Sequence, residues 1–238
     1  MSGLLETLGG LFSGLNRTLA LGGPVVLILI AMSILALTIV VAKLLQFRRV
    51  RINDRRTARS ALGVYRSGNA AGAVTMARRS PNPAARVLAR AIQLRSRQNA
   101  PEPILREEIL QYGGDMLESL RSHLRPLEVI AALAPLLGLF GTVLGMIEAF
   151  RDLETAGSQV NPALLSGGIW QALLTTAVGL AVAMPVIVAL NWLERTIDRA
   201  AHEMDSVVTR VFTVDLSRSP SAALGNDDDE SDHSTPFI

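Results

Sequence analysis

Two long apolar segments, residues 127–147 and 169–191, constrain this 238-residue chain more than any other feature. A hydrocarbon core about 30 Å thick needs roughly 20 mostly apolar helical residues to cross it. Both segments meet that length, a third at 25–42 does too, and no other stretch does. A composition of 49% hydrophobic and 18% charged residues lies outside the range of an ordinary soluble domain. The expected fold is therefore all-α, a membrane protein with three transmembrane helices and long helices extending into the cytoplasm.

Arginine and lysine set the expected orientation. Lys43, Arg48, Arg49, Arg51, Arg55, Arg56 and Arg59 follow the first span; Arg121 and Arg125 precede the second; Arg195 and Arg199 follow the third. Between spans two and three, Arg151 is set against Glu148, Asp152 and Glu154. The N-terminus and the loop 149–168 should lie outside, and 46–125 and the C-terminal region in the cytoplasm. The first basic residue is Arg17 and no small-residue cleavage site follows the apolar run, so the first span is expected to stay in the mature protein. The pI near 9.6 does not indicate nucleic acid: basic residues beside spans are explained by topology and anionic lipid, and no base-reading motif accompanies them.

The organisation follows from these boundaries. Residues 1–22 carry Leu4, Leu8, Leu11 and Leu15 at helical spacing, which suits a periplasmic amphipathic segment. Transmembrane helix 1 occupies 23–45, and 46–125 reads as a cytoplasmic helical domain. Within that domain Asn69 is placed to cap a short helix, and Asn82 before Pro83 to cap another. From Ile104 an apolar period leads toward transmembrane helix 2 at 126–148, with Pro126 as a potential kink. A periplasmic loop at 149–168 and transmembrane helix 3 at 169–191 follow. The stripe Ile197, Ala201, Met204, Val208 and Val211 extends the third helix through 192–216. The tail 217–238 contains Asp227, Asp228, Asp229, Glu230 and Asp232; it reads as a disordered, solvated acidic segment with no binding role.

In the second span Gly138, Gly141 and Gly145 lie near one face, with Ala134 one turn earlier and Thr142 beside them. In the third, Ala172, Thr176, Gly179 and Ala183 share a face and Thr175 is adjacent. Small residues let helix backbones approach closely in lipid, within one subunit or between subunits. The threonines have two readings: a hydroxyl bonded to its own backbone one turn back, or one lining a wet path. Gln171 is costly in hydrocarbon without a partner, so it faces a protein interior or wet cavity, or sits hydrated at the outer interface. Pro135 and Pro185 permit bends, and Trp170 and Trp192 bracket the third span as interfacial anchors.

The absences narrow the function. No Asp, Glu, Lys, Arg or His lies at mid-depth in any span, so a proton relay through these helices needs a titratable group from elsewhere. There is no cysteine, and His123, His202 and His233 form no ligand-spaced pair, so neither a metal nor another cofactor is expected. No phosphate-binding loop, nucleophile elbow or paired catalytic carboxylates appear, and enzyme chemistry is not expected.

The run Leu136-Leu137-Gly138-Leu139-Phe140-Gly141-Thr142-Val143-Leu144-Gly145 resembles the second-span signature of the MotA/TolQ/ExbB proton-channel family. The run from Ala172 through Thr175, Thr176 and Gly179 to Pro185, with Asn191 beyond it, resembles the third-span signature. The three-span layout is similar to the ExbB/TolQ branch; four-span flagellar stator subunits fit poorly. The resemblance implies an inner-membrane motor subunit, a homo-oligomeric pentamer around ExbD/TolR-like single-span partners whose membrane aspartate carries protons. It implies work delivered to TonB-dependent outer-membrane transport or, as the alternative, to the Tol-Pal envelope system. It also implies that Thr142 and Thr176 face the pore, with Thr175 and Gln171 beside the path. Gln171 departs from the glutamate common in ExbB and TolQ proteins, and an amide hydrogen-bonds but does not titrate. Rivals from other classes are a non-conducting membrane scaffold, which gains little from paired hydroxyls, and a solute transporter, which three spans without an inverted repeat disfavour.

Overall fold

The computed structural model describes residues 2–96, 101–156 and 162–213, with side chains from 23 onward except 156 and 162–164. It is all-α over those residues, in seven helices: α1 Ser2–Val50, α2 Arg55–Arg66, α3 Ala70–Arg79, α4 Pro83–Ser96, α5 Glu102–Arg121, α6 Arg125–Ala156 and α7 Pro162–Thr213. Three helical stretches are long and apolar enough to cross a membrane, beginning at Gly23, Glu102 and Leu165. The acidic tail expected at 217–238 lies outside the described residues.

The chain divides into two units. Met1–Gln46 and Arg121–Arg195 form the first. Here α1 breaks at Gly23, whose φ of 62° and ψ of −169° are open to glycine, and Pro24 then begins a new first turn, where its missing N–H costs nothing. Val25 and Leu29 of α1 are buried against Ala134 of α6 and Ala183 of α7, flanked by Met32, Leu137, Val178 and Val182. Large apolar side chains such as Leu37, Leu139, Phe140, Leu173 and Val188 remain exposed on this unit; a surface of that kind suits lipid or neighbouring helices.

Phe47–Leu120 and Thr196–Ile238 form the second unit. Its core joins Ala58, Leu62, Tyr65, Ala73, Ala77, Leu88, Ile92 and Ile109 to Met204, Val208 and Val211 near the end of α7. Each junction has a local cause. Arg51 takes φ 48° after α1, with Ile52 N–H donating to Phe47 O at 3.2 Å and Arg51 N–H to Arg48 O at 3.2 Å. That is the paired bonding of a left-handed helix cap with arginine where glycine is usual. Gly68, φ 86°, makes the same cap for α2 through Asn69 N–H to Val64 O at 3.3 Å and Gly68 N–H to Tyr65 O at 3.1 Å.

Asp54 caps α2: its carboxylate accepts from Thr57 N–H at 3.4 Å and from the Thr57 hydroxyl at 2.8 Å, and the hydroxyl bond leads the interactions that hold this carboxyl below its ordinary value. Asn69 caps α3, accepting from Gly72 N–H at 2.8 Å. Asn82, buried, caps α4 through Ala85 N–H at 3.2 Å and donates from Nδ2 to Arg51 O at 2.9 Å and Ile52 O at 3.4 Å.

Two expectations change. Pro126 does not kink a helix entering the second span. The chain leaves helical geometry earlier, at His123 with φ 64°, and α6 starts afresh, so Pro126 falls in its first turn, where no intrahelical partner exists for an N–H. The segment expected as the loop 149–168 is helical in its described parts, to Ala156 on one side and from Pro162 on the other.

Candidate functional site

The two helices that carry the sequence motifs, α6 and α7, meet along the residues the motifs single out. A Cβ added at Gly179 would lie 2.6 Å from Ala134 O and 3.0 Å from Gly138 Cα. One at Gly138 would lie 3.0 Å from Thr175 O and 3.1 Å from Thr176 Cα; one at Gly141, 2.6 Å from Thr175 Oγ1; one at Gly145, 3.1 Å from Ala172 Cβ. The partners descend along α7 as positions rise along α6, so the pair is antiparallel. All four glycines expected to pack thus fall on one seam inside a single chain, where a methyl group is enough to force the backbones apart.

The threonines divide by environment. Thr175 is buried, and its hydroxyl hydrogen is shared between Ala172 O at 2.7 Å and Gly138 O at 3.2 Å. Thr176 is half-buried and donates to the same Gly138 O at 3.1 Å. Thr142 is half-buried and donates to Leu139 O, one turn back, at 2.6 Å. The absence of a side chain at Gly138 is what brings its carbonyl within reach of two hydroxyls from α7. This acceptor escapes a sequence reading, because a backbone oxygen carries no residue signature. Gln171 is half-buried, and its Nε2 lies 3.9 Å from where a Cβ on Gly23 would sit, so its amide stands beside the break in α1.

Lys43, counted from sequence only as one of a basic group, is 3% exposed and donates from Nζ to Gln46 Oε1 at 2.9 Å. Among the described residues no cluster of His, Cys, Asp or Glu is arranged to hold a metal. Thr142, Thr175, Thr176 and Gln171 supply hydroxyls and an amide within the apolar stretches of α6 and α7. Such a set can donate and accept hydrogen bonds but does not itself ionise.

Comparison with known proteins agrees with the motifs. The family model described as the MotA/TolQ/ExbB proton channel family matches residues 79–206. The chain is 38% identical to biopolymer transport protein exbB1 of Vibrio cholerae over 36% of its length and 40% of that protein's. It is 31% identical to the Tol-Pal system protein TolQ of Haemophilus influenzae over 49% of its length and 52% of that protein's. A putative biopolymer transport protein, ExbB-like 3 of Synechocystis, is 27% identical over 71% of this chain and 80% of its own. The first two matches span about half or less of those relatives. With the family model covering more than half of the chain and both motifs inside the α6–α7 seam, this protein belongs to the MotA/TolQ/ExbB proton channel family, in its ExbB/TolQ branch.

Proposed function

We propose that this chain is a ring-forming subunit of an inner-membrane proton channel and motor, N-terminus periplasmic and C-terminus cytoplasmic. It uses the proton-motive force with a single-span ExbD/TolR-like partner to energise TonB-dependent outer-membrane transport. The observation that carries the reading is the placement of hydroxyls at a closely packed seam in helices without an ionisable residue at mid-depth. An uncompensated charge there is costly, so the titrating carboxylate comes from the partner. Thr142 and Thr176 line the path. Thr175, with its hydroxyl buried, holds the seam that positions them, and Gln171 hydrogen-bonds at the break in α1. The glycine seam fixes each subunit as a rigid wall, and the exposed apolar faces form the contacts between subunits in a pentamer and with lipid.

A TolQ-like role in the Tol-Pal system is the second reading, favoured by the similarity to TolQ of Haemophilus influenzae. Proton flux into liposomes tests the channel. The chain alone should be nearly impermeable, conductance should appear with the carboxylate-bearing partner, and Thr142→Val or Thr176→Val should lower it with the complex intact. Equal flux from the chain alone, insensitive to both substitutions, would place the path elsewhere. Complementation of strains lacking either system separates the two destinations.

A further inference from the structure

The second unit contains a cleft unrelated to the seam. It is about 220 Å³, between α2 and the C-terminal part of α7. Arg55 and Arg59, one turn apart on α2, face Arg199, His202, Ser206 and Arg210, which recur along one side of α7. Leu62 and Val207 complete the lining. Among the described residues that line it the carboxylate is Glu203, which meets Arg55 Nε at 3.5 Å, and Asp54 lies near enough to act on it. Burial pushes the Glu203 carboxyl up, and the lowering influence of Arg55 and Arg59 is the lesser effect. The guanidinium groups of Arg55, Arg59 and Arg210, with the Ser206 hydroxyl among them, make a wall rich in donors.

We propose that this cleft binds a phosphate-bearing anion, gripped by Arg55, Arg59 and Arg210 with Ser206 and His202 as additional hydrogen-bonding groups. Converging guanidinium forks suit a group that offers several oxygens and more than one charge. A phosphate or glycerophosphate is of a size to occupy a cleft of about 220 Å³. A soluble compound and a phospholipid headgroup are the two sources of such a phosphate, and they separate experimentally.

The full-length protein in neutral detergent is titrated with inorganic phosphate and pyrophosphate against chloride at constant ionic strength, following thermal unfolding. In parallel it is placed in nanodiscs of phosphatidylcholine alone or with phosphatidylglycerol. Arg59→Gln/Arg210→Gln should weaken the effective anion about tenfold or more. Arg59 and Arg210 are exposed, so the single substitutions carry the test if the double variant does not fold. Stabilisation by soluble phosphate identifies a soluble ligand. Stabilisation by phosphatidylglycerol without an effect of soluble phosphate identifies a headgroup. No effect beyond chloride and phosphatidylcholine, or an effect equally strong in the Arg59 and Arg210 variants, overturns the proposal.

Discussion

Gly179→Ala is the smallest change that probes the α6–α7 seam. The new Cβ would stand 2.6 Å from Ala134 O, whereas ordinary contact begins at 3.4 Å. Its second neighbour, Gly138 Cα, is also backbone, so no side chain can swing aside and the helices must part locally by about 0.8 Å. A shift of that size carries the Thr176 hydroxyl from 3.1 Å to beyond hydrogen-bonding distance of Gly138 O, and Thr175 Oγ1 away from the same oxygen. Interhelical bonds in membranes average about 0.6 kcal/mol each, overpacking costs about 1–3 kcal/mol, and the better helix propensity of alanine returns up to about 1 kcal/mol. The net expectation is a loss of about 1–3 kcal/mol together with reduced proton flux. Gly63 and Gly114 have open space where a Cβ would go, so alanine there should be neutral or stabilise by about 0.5–1 kcal/mol. Gly145→Ala, whose new Cβ would meet Ala172 Cβ at 3.1 Å and Ala172 Cα at 3.3 Å, should fall between. Unfolding in detergent, paired with flux in liposomes containing the partner, ranks the series. If Gly179→Ala is as stable as Gly114→Ala, the close approach of these helices is wrong.

Other substitutions probe the second unit. Asn82→Ala removes the cap of α4 and both bonds to the carbonyls of Arg51 and Ile52; it should cost about 2–3 kcal/mol, and a thermal midpoint unchanged from wild type would remove Asn82 as the tie between these segments. Asp54→Ala should cost about 1 kcal/mol at neutral pH. Because the Asp54 carboxyl is held low in the folded protein, its contribution is present above the unfolded carboxylate value and lost as pH falls through the folded one. The gap between variant and wild type should therefore close in acid, and a gap independent of pH would contradict the charged cap.

Much of this arrangement is legible in sequence because period is legible. Gly138, Gly141 and Gly145 announce a close-packed face, and Asn82 before Pro83 announces a helix start. Period does not say which helix the face meets, nor how a helix is rotated. Thr175 and Thr176 differ by about 100° around α7, and only the packing decides that the first is buried and the second half-exposed. The break at His123 was hidden because a non-glycine residue in left-handed geometry has no sequence mark, while Pro126, which has a conspicuous one, sits harmlessly in a first turn. Arg55 and Glu203 stand on helices far apart in the chain, so neither their pairing nor the arginine cleft around them has a local signal.

The direction of the hydrogen bonds at the seam constrains the proposed path further. A threonine hydroxyl has one hydrogen and two lone pairs. Thr176 directs its hydrogen to Gly138 O and Thr142 directs its own to Leu139 O. Both threonines therefore present acceptors, not donors, to whatever lies beside them. An acceptor favours a protonated carboxyl or a hydrated proton and does nothing for a bare carboxylate. On the proposed reading, the partner's aspartate is stabilised in its protonated form as it passes this wall, which suits a carrier that must cross apolar surroundings uncharged. Valine removes the acceptor and keeps roughly the same shape. Carbodiimide labelling of the partner's carboxyl requires the protonated form, so in Thr176→Val its pH midpoint should move to lower pH, in step with the fall in flux. A midpoint that moves to higher pH would mean that Thr176 donates its hydrogen to the carboxylate and that its bond to Gly138 is given up in the working complex.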